Sequence, residues 1–306
     1  MQKLHTAEVT EDQIDHLGHM NVRFYAEHAH SGSLRIAESI GLATSAGQAV
    51  MQRDRYTRHH REQMLGAQLE VRGGVMDADA ERVRLYEELA NSDTGDIAAT
   101  FVLTLQPADA DGGDPLPIEQ GVLDAATGWS VAVPEHGQPR SLSIDDDPVA
   151  MAPGLDVLRE RDCALREVRV IHPEECDPRG RLRSGLVAEL VWGGTPVKGR
   201  DFRPFSEGPG GMKIGWATME TRGSWHHLPA LGERVQSYGV ETNIAEKTMT
   251  SNHWVHDVGS GELVCAFSVV NIAFDVAARR AVVIPDDVRA EMSHNLHADL
   301  DGLTSD

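Results

Sequence analysis

Apolar and polar positions change period several times along this chain, and the changes mark out elements. Thr6 to Thr10 reads as a short extended segment. Val22 to Ile40 then carries Phe24, Tyr25, Leu34, Ile36, Ala37 and Ile40 at loosely helical spacing, which predicts a helix. Asn21 suits its N-cap, because a side-chain carbonyl there accepts from an unpaired first-turn amide, and Gly41 suits its stop. Leu42 to Val50, with Gly47 and several small residues, reads as a connection. Four extended runs follow. Tyr56 to Leu65 and Gln68 to Ala78 are parted by Gly66, and in Arg82 to Ala90 the residues Val83, Leu85 and Leu89 alternate with Arg82, Arg84 and Glu88. Asp93-Thr94-Gly95-Asp96 is a tight hairpin turn, and Ile97 to Leu105 is a strand rich in β-branched and apolar residues. One helix and four antiparallel strands make, on periodicity alone, an α+β domain.

From Pro107 to about Leu155 the pattern gives way to Ala-Asp-Ala-Asp-Gly-Gly-Asp-Pro-Leu-Pro, Val133 to Arg140 and three aspartates from Asp145. This connector is too long for a simple loop, so parts of it should be pinned against a domain surface or hold a short helix around Leu123 to Ala126. His136 to Arg140 reads as ordered linker, with a lid over a site as the other reading. The pattern then repeats. Asp177-Pro178-Arg179-Gly180-Arg181-Leu182-Arg183 lines up with Asp15-His16-Leu17-Gly18-His19-Met20-Asn21, and Gly259-Ser260-Gly261 with Asp93-Thr94-Gly95. Trp225 to Gly232 answers His59 to Gly66, Phe267 answers Phe101, and Ile284-Pro285 answers Leu116-Pro117. Matched points at a nearly constant offset imply an internal duplication. The expected division is a first unit at 1–118, a connector at 119–160, a diverged second unit at 161–290 and a tail at 291–306.

The length of 306 residues and a hydrophobic share of 41% allow two packed cores. No apolar run is long enough to span a bilayer and the start lacks a signal-peptide core, so no membrane partner and a cytoplasmic location are expected. Cys163, Cys176 and Cys265 are odd in number and widely spaced, and are read as structural thiols. A net charge of −20 argues against a nucleic-acid surface. The densest basic run, Gln52 to Arg61, is either a solvated strand edge or a phosphate site. No Gly-x-Ser-x-Gly elbow and no phosphate-binding glycine fingerprint appears between a strand and a helix. The neighbours His59-His60 and His226-His227 point to opposite faces of a strand and do not share a metal, so no metal or cofactor is expected. Glu62 is by default a strand-exposed glutamate, with a second acid as the alternative.

The stretch Asp15 to Asn21 holds the candidate chemistry, because it sits where an extended run meets a helix start. First-turn amides carry partial positive charge and hold an oxyanion without a cationic side chain, and Asp15 can supply a base or nucleophile at the same mouth. Asp15-x-x-Gly18 alone is equally an ordinary turn; His19, Asn21 and the helix behind it favour a site.

Asp15-x-x-Gly18-His19-x-Asn21 followed by a helix carrying Tyr25 resembles the signature of the hot-dog-fold acyl-CoA thioesterases, in the 4-hydroxybenzoyl-CoA thioesterase-like branch. The resemblance implies a double hot-dog: two units, each a central helix wrapped by a curved antiparallel sheet, forming an intrachain pseudo-dimer. It implies hydrolysis of an acyl-CoA thioester, with Asp15 as base or nucleophile and the amides near Val22 and Arg23 as oxyanion hole. His19 and Asn21 shape the loop and position water; Tyr25 and His60 are expected to line the substrate site. In the second copy Asp177 and Gly180 persist, Arg181 and Arg183 replace the histidine and asparagine, and Trp192-Gly193-Gly194-Thr195-Pro196 breaks the helix pattern. That copy is expected to be inactive or to hold the substrate chain, while its arginines equally suit an anion. Acyl-carrier protein is the alternative carrier, a dehydratase or hydratase on the same fold the competing enzyme, and a non-catalytic acyl-binding or scaffold protein the reading from another class. The outer sheet edges leave room for further homo-oligomerisation.

Overall fold

In the computed structural model of the chain the helix α1 spans Val22–Ile40. The structure describes residues 1–301 apart from 16, 44, 46, 110–112, 162, 193, 194, 199–204 and 226. Its N-cap is Asn21, whose side chain accepts from the Arg23 amide at 3.0 Å, and it stops at Gly41, which takes φ 76°.

The chain packs as two compact units, residues 1–139 with 173–187 and residues 140–172 with 188–306. In the first, α1 lies against a five-stranded antiparallel sheet of β1 (Gln2–Glu8), β2 (Gln48–His59), β3 (Gln68–Ala78), β4 (Val83–Asn91) and β5 (Ile97–Asp109), in the order β1-β3-β4-β5-β2. Its core joins Phe24, Ala29, Ile36 and Ile40 of the helix to Val71, Leu85, Leu89, Phe101 and Leu103 of the sheet, all buried. A Cβ added at Gly32 would lie 2.7 Å from Val71 and 3.0 Å from Glu87, so only glycine lets the helix come this close to β3 and β4.

Several strand boundaries differ from the sequence reading. The first strand is Gln2–Glu8, not Thr6 to Thr10, because its amides pair with β3 from Gly73 down to Gln68. β2 begins at Gln48, inside the supposed connection, and ends at His59, short of Leu65. Gln48 to Gln52 pair with Asp109 back to Leu105, which lengthens the strand, and Arg61 to Gln63 are drawn off into a turn bound to α1 and the Asp15 loop. The connector does carry a helix, α2 (Gln120–Ala126), and beyond it His136 is fixed to the sheet, Nε2 2.6 Å from Glu88 Oε1.

The second unit holds α3 (Leu155–Glu160), β6 (Ala164–Arg166) and β7 (Arg169–Val170), then α4 (Val187–Trp192), which begins at the unit boundary, β8 (Pro196–Lys198) and β9 (Phe205–Glu207). Long strands follow: β10 (Lys213–Trp225), β11 (Arg234–Ile244), β12 (Thr248–Asp257) and β13 (Leu263–Asp275), in the order β10-β13-β12-β11, with a short β14 (Arg280–Ala281) on β13. A last helix, α5 (Asp286–Ser293), buries Val288 and Met292, one turn apart, against Ile214, Met249 and Ala273. The duplication holds bond for bond. The Gly95 amide donates to Asn91 O and the Gly261 amide to Asp257 O, and the Gly66 and Gly232 amides donate to Val9 O and Ile171 O. α4 ends at Trp192, where the sequence breaks its pattern; Gly193 and Gly194 lie outside the described residues, as does His226 of the second histidine pair. No disulfide joins the three cysteines. Among the described residues no helix is long and apolar enough to cross a membrane.

Glu87 and Glu88 are both buried, on opposite faces of β4. Glu88 accepts from Arg72, Tyr86 and His136. Among the described residues neither oxygen of Glu87, under α1, has a hydrogen-bond partner, and burial holds its carboxyl well above the usual carboxylate range. A folded-state pKa above the unfolded one means that folding binds a proton, so stability falls as pH rises through that window. Glu87→Gln is therefore expected to match the wild type in urea unfolding near pH 4. It should gain on it by up to about 1.4 kcal/mol per pH unit above pH 5, until the wild-type group ionises. Equal differences at all pH values would contradict this. Asn21→Ala is expected to cost about 1 kcal/mol by the same assay, through the lost cap of α1.

Candidate functional site

Asp15 and His19 are brought together by a tight loop that closes on itself before α1. The Asp15 amide donates to His19 O at 2.9 Å and the Gly18 amide to Asp15 O at 3.0 Å, with Gly18 at φ 85°, a left-handed value that only glycine takes without strain. The Leu17 amide donates to Asp15 Oδ1 at 2.8 Å. Asp15 Oδ2 lies 3.5 Å from His19 Nδ1, and both side chains are largely buried, 14% and 13% exposed. The ordinary-turn reading of Asp15-x-x-Gly18 is thus met as well: Asp15 caps its own loop and still presents its second oxygen to His19.

Tyr25 connects this loop to the sheet. Its hydroxyl donates to Arg61 O at 3.2 Å and accepts from the Gln63 amide at 3.1 Å, while Gln63 O accepts from the Met20 amide at 2.7 Å. Burial first, and then the nearby Asp15 charge, push the Tyr25 hydroxyl up to about 12, so it stays protonated and able to donate. The same turn places Glu62 Oε1 3.4 Å from His19 Nε2. The sequence left Glu62 as an exposed strand residue by default; its place one residue before Gln63 was the available signal.

Three of the features singled out in the sequence have other partners in the structure. The Arg23 amide, expected in the oxyanion hole, donates to Asn21 Oδ1; the Val22 amide, one residue earlier, has no hydrogen-bond partner among the described residues. The Arg23 guanidinium lies over the Phe24 ring at 4.4 Å. His60 faces away from α1, with Nε2 3.2 Å from Thr100 Oγ1 and its ring 6.3 Å from that of His136. The adjacent His59 is the one that meets Tyr25, edge-on at 5.3 Å, and burial, with His60 and Arg55 nearby, lowers it to about 4. The alternation of a strand decides between the two. The Gln52 to Arg61 run is not a basic face either: Arg55 is buried, Arg53 donates to Gly113 O at 2.6 Å, Arg58 to Gln138 O at 2.9 Å, and Arg61 pairs with Asp96 at 3.3 Å.

The second copy of the loop, at 173–187, repeats the backbone. The Asp177 amide donates to Arg181 O at 2.7 Å, the Gly180 amide to Asp177 O at 2.9 Å, and Gly180 sits at φ 75°. Its chemistry differs. The Arg179 guanidinium grips Asp177 Oδ2 through Nε at 3.0 Å and Nη2 at 2.9 Å, while the Arg179 and Arg181 amides take Oδ1. Burial raises the Asp177 carboxyl, but the Arg181 amide and the Arg179 contacts outweigh it, and the net shift is below the usual carboxylate range. Arg183, in the cap position, makes no cap hydrogen bond, and the chain starts there as a turn of 3-10 helix. Among the described residues no group of three or more His, Cys, Asp or Glu side chains is placed to hold a metal ion.

Residues 9–126 match the family model described as the thioesterase-like superfamily. Two solved structures resemble nearly the whole chain. An acyl-ACP thioesterase from Bacteroides thetaiotaomicron is 10% identical with a TM-score of 0.60, covering 87% of this chain and 96% of its own. The 12:0-ACP thioesterase from Umbellularia californica is 10% identical with a TM-score of 0.62, covering 88% and 93%. No protein of curated function matches the chain by sequence. With the Asp15 loop and α1 inside the matched segment and the repeat carried through the second unit, the chain has the double hot-dog fold, and its residues 9–126 match the model of the thioesterase-like superfamily.

Proposed function

We propose that the chain hydrolyses an acyl thioester, releasing a carboxylic acid and a thiol, with the reaction centred on Asp15. The observation that carries the reading is the pairing of Asp15 with the start of α1: a carboxylate with one oxygen beside His19, and a Val22 amide without a partner among the described residues, at the positive end of a 19-residue helix. Asp15 takes the proton of an attacking water or attacks the carbonyl itself, the Val22 amide receives the developing oxyanion, and the C–S bond breaks to free the thiol. Asn21 contributes by fixing the helix start and Tyr25 by fixing the turn opposite it. His60 has no part in this version. The match of residues 9–126 to the thioesterase-like superfamily supports the chemistry.

Coenzyme A is the first choice of carrier, because a chain of net charge −20 whose arginines on β2 are buried or bonded offers no broad basic face to an acidic carrier protein. Acyl-carrier protein is the second reading, favoured by the two full-length structural relatives described as acting on it. A cytoplasmic location fits either.

The test is thiol release from short, branched, long and aromatic acyl-CoA esters and from matching acyl-carrier-protein esters, by wild type and Asp15→Asn. Turnover by the wild type, lowered about a hundredfold or more by Asp15→Asn, is the expected result. An Asp15→Asn variant at the wild-type rate overturns the mechanism, and no turnover on any ester favours an acyl-binding protein.

A further inference from the structure

The face of β2 that looks onto α1 is polar where the rest of that core is apolar. His59 meets Tyr25 edge-on at 5.3 Å and Val50 packs against the core, so the alternation of the strand, with its bulge between Gln52 and Asp54, sets Gln52, Arg55 and Thr57 on the same side. Arg58 and His60, bonded to Gln138 O and Thr100 Oγ1, look the other way. Gln52, Arg55 and Thr57 are all buried, and across the ladder on β5 they meet only Leu105, Leu103 and Phe101.

Gln52 is the informative member of this row. It lies beside His30 of α1 without a hydrogen bond of good geometry: among the described residues neither its Nε2 nor its Oε1 has a partner, at 1% exposure. A buried carboxamide with its donors and acceptor unmet costs stability. Arg55 stands by the same ring. Burial first, and then the Arg55 charge, lower His30 to about 4, so its imidazole is neutral, with Nδ1 3.2 Å from Ser184 Oγ. Burial brings Arg55 itself down to about 10, against the pull of Asp54, and the guanidinium keeps its charge at neutral pH.

The second copy shows that the fold does not ask for this row. Thr218, Thr221, Gly223 and Trp225 of β10 stand where Gln52, Arg55, Thr57 and His59 stand on β2, with the bulge after Thr218 as after Gln52, and Phe267 opposite Gly223 as Phe101 is opposite Thr57. There the polar group is met within the sheet: Thr218 Oγ1 donates to Asn271 Oδ1, on the residue directly across, at 3.0 Å. Gln52 has Leu105 across from it, which offers no hydrogen bond. The polar row belongs to the copy that holds Asp15.

The row also leads away from the Asp15 loop. His30 is eight residues beyond Val22, about 12 Å at the rise of a helix, and Arg55 is four residues before His59, about 13 Å at the rise of a strand. We propose that the acyl group cleaved at Asp15 carries a carboxylate at its far end and that Gln52 and Arg55 receive it, which makes the substrate a medium-chain half-thioester of a dicarboxylic acid. The proposal rests on the hydrolysis reading above. A carboxylate accepts from carboxamide and guanidinium N–H groups alike, and the Arg55 charge attracts it in surroundings that screen little. An alkyl end at the same place offers Gln52 nothing.

The experiment compares thiol release from the CoA half-thioesters of adipic, suberic and sebacic acids with release from hexanoyl-, octanoyl- and decanoyl-CoA, by wild type, Gln52→Leu and Arg55→Met. The wild type is expected to favour the carboxylated member of at least one pair by kcat/KM, and both variants to lower that preference at least about tenfold. A wild type that favours the alkyl member of every pair, or a preference that Gln52→Leu leaves in place, overturns the proposal. Arg55→Met removes a buried charge and is read only if it unfolds in urea as the wild type does; Gln52→Leu, a swap of similar size, decides without it. Calorimetric binding of suberyl-CoA and octanoyl-CoA to Asp15→Asn needs no turnover and keeps the two readings apart. If the wild type cleaves no ester, hydrolysis falls, while tighter binding of suberyl-CoA upholds the carboxylate site and equal binding overturns it.

Discussion

A single buried hydroxyl fixes the relation between helix and sheet at this site. Tyr25, 3% exposed on the first turn of α1, satisfies the Arg61 carbonyl and the Gln63 amide at once, and Gln63 in turn satisfies the Met20 amide. Gln63 and Met20 are buried, where an unmet hydrogen bond costs about 1–3 kcal/mol. The loop of Asp15 and the turn of Glu62 therefore take one relative position, and His19 is caught between the two carboxylates. The Asn21 cap then determines which first-turn amide stays open, because it occupies Arg23 and leaves Val22.

The two copies of the loop separate scaffold from chemistry. Their backbones agree hydrogen bond for hydrogen bond, through Asp15, Gly18 and His19 in one and Asp177, Gly180 and Arg181 in the other. The first has a carboxylate oxygen facing an imidazole and a capped helix of 19 residues behind it. The second has its carboxylate taken up by Arg179 and an uncapped helical segment that ends at Trp192. A loop whose geometry is set by glycine and backbone bonds tolerates a change of its side chains, which is how one copy can change its chemistry without losing its shape.

The helix, its cap and stop, the hairpin at Asp93 and the repeat were legible because each rests on local chemistry: Asn21 and Gly41 act within one turn of where they stand. The start of β2 was not, since Gln48-Ala49-Val50-Met51-Gln52 lacks the alternation of a strand and becomes one only through pairing with β5. Glu87 and Glu88 look like an exposed pair, yet one lies under α1 and the other under His136, partners far away in sequence. Of the site, Asp15, His19, Asn21, Val22 and Tyr25 were named from the motif and do come together around the start of α1. His60 was chosen over His59 because nothing local says which face of β2 looks toward the helix. Glu62 was passed over because its tie to His19 runs through the Tyr25 hydroxyl.

The central claim is that two loops of one backbone shape differ in chemistry, with the reaction at Asp15 alone. Single-turnover cleavage of one acyl-CoA ester by Asp15→Asn and by Asp177→Asn, each at saturating enzyme, tests it most directly. The account predicts loss of the cleavage step in the first variant and a wild-type rate in the second. Equal loss in both, or loss only in Asp177→Asn, would contradict it.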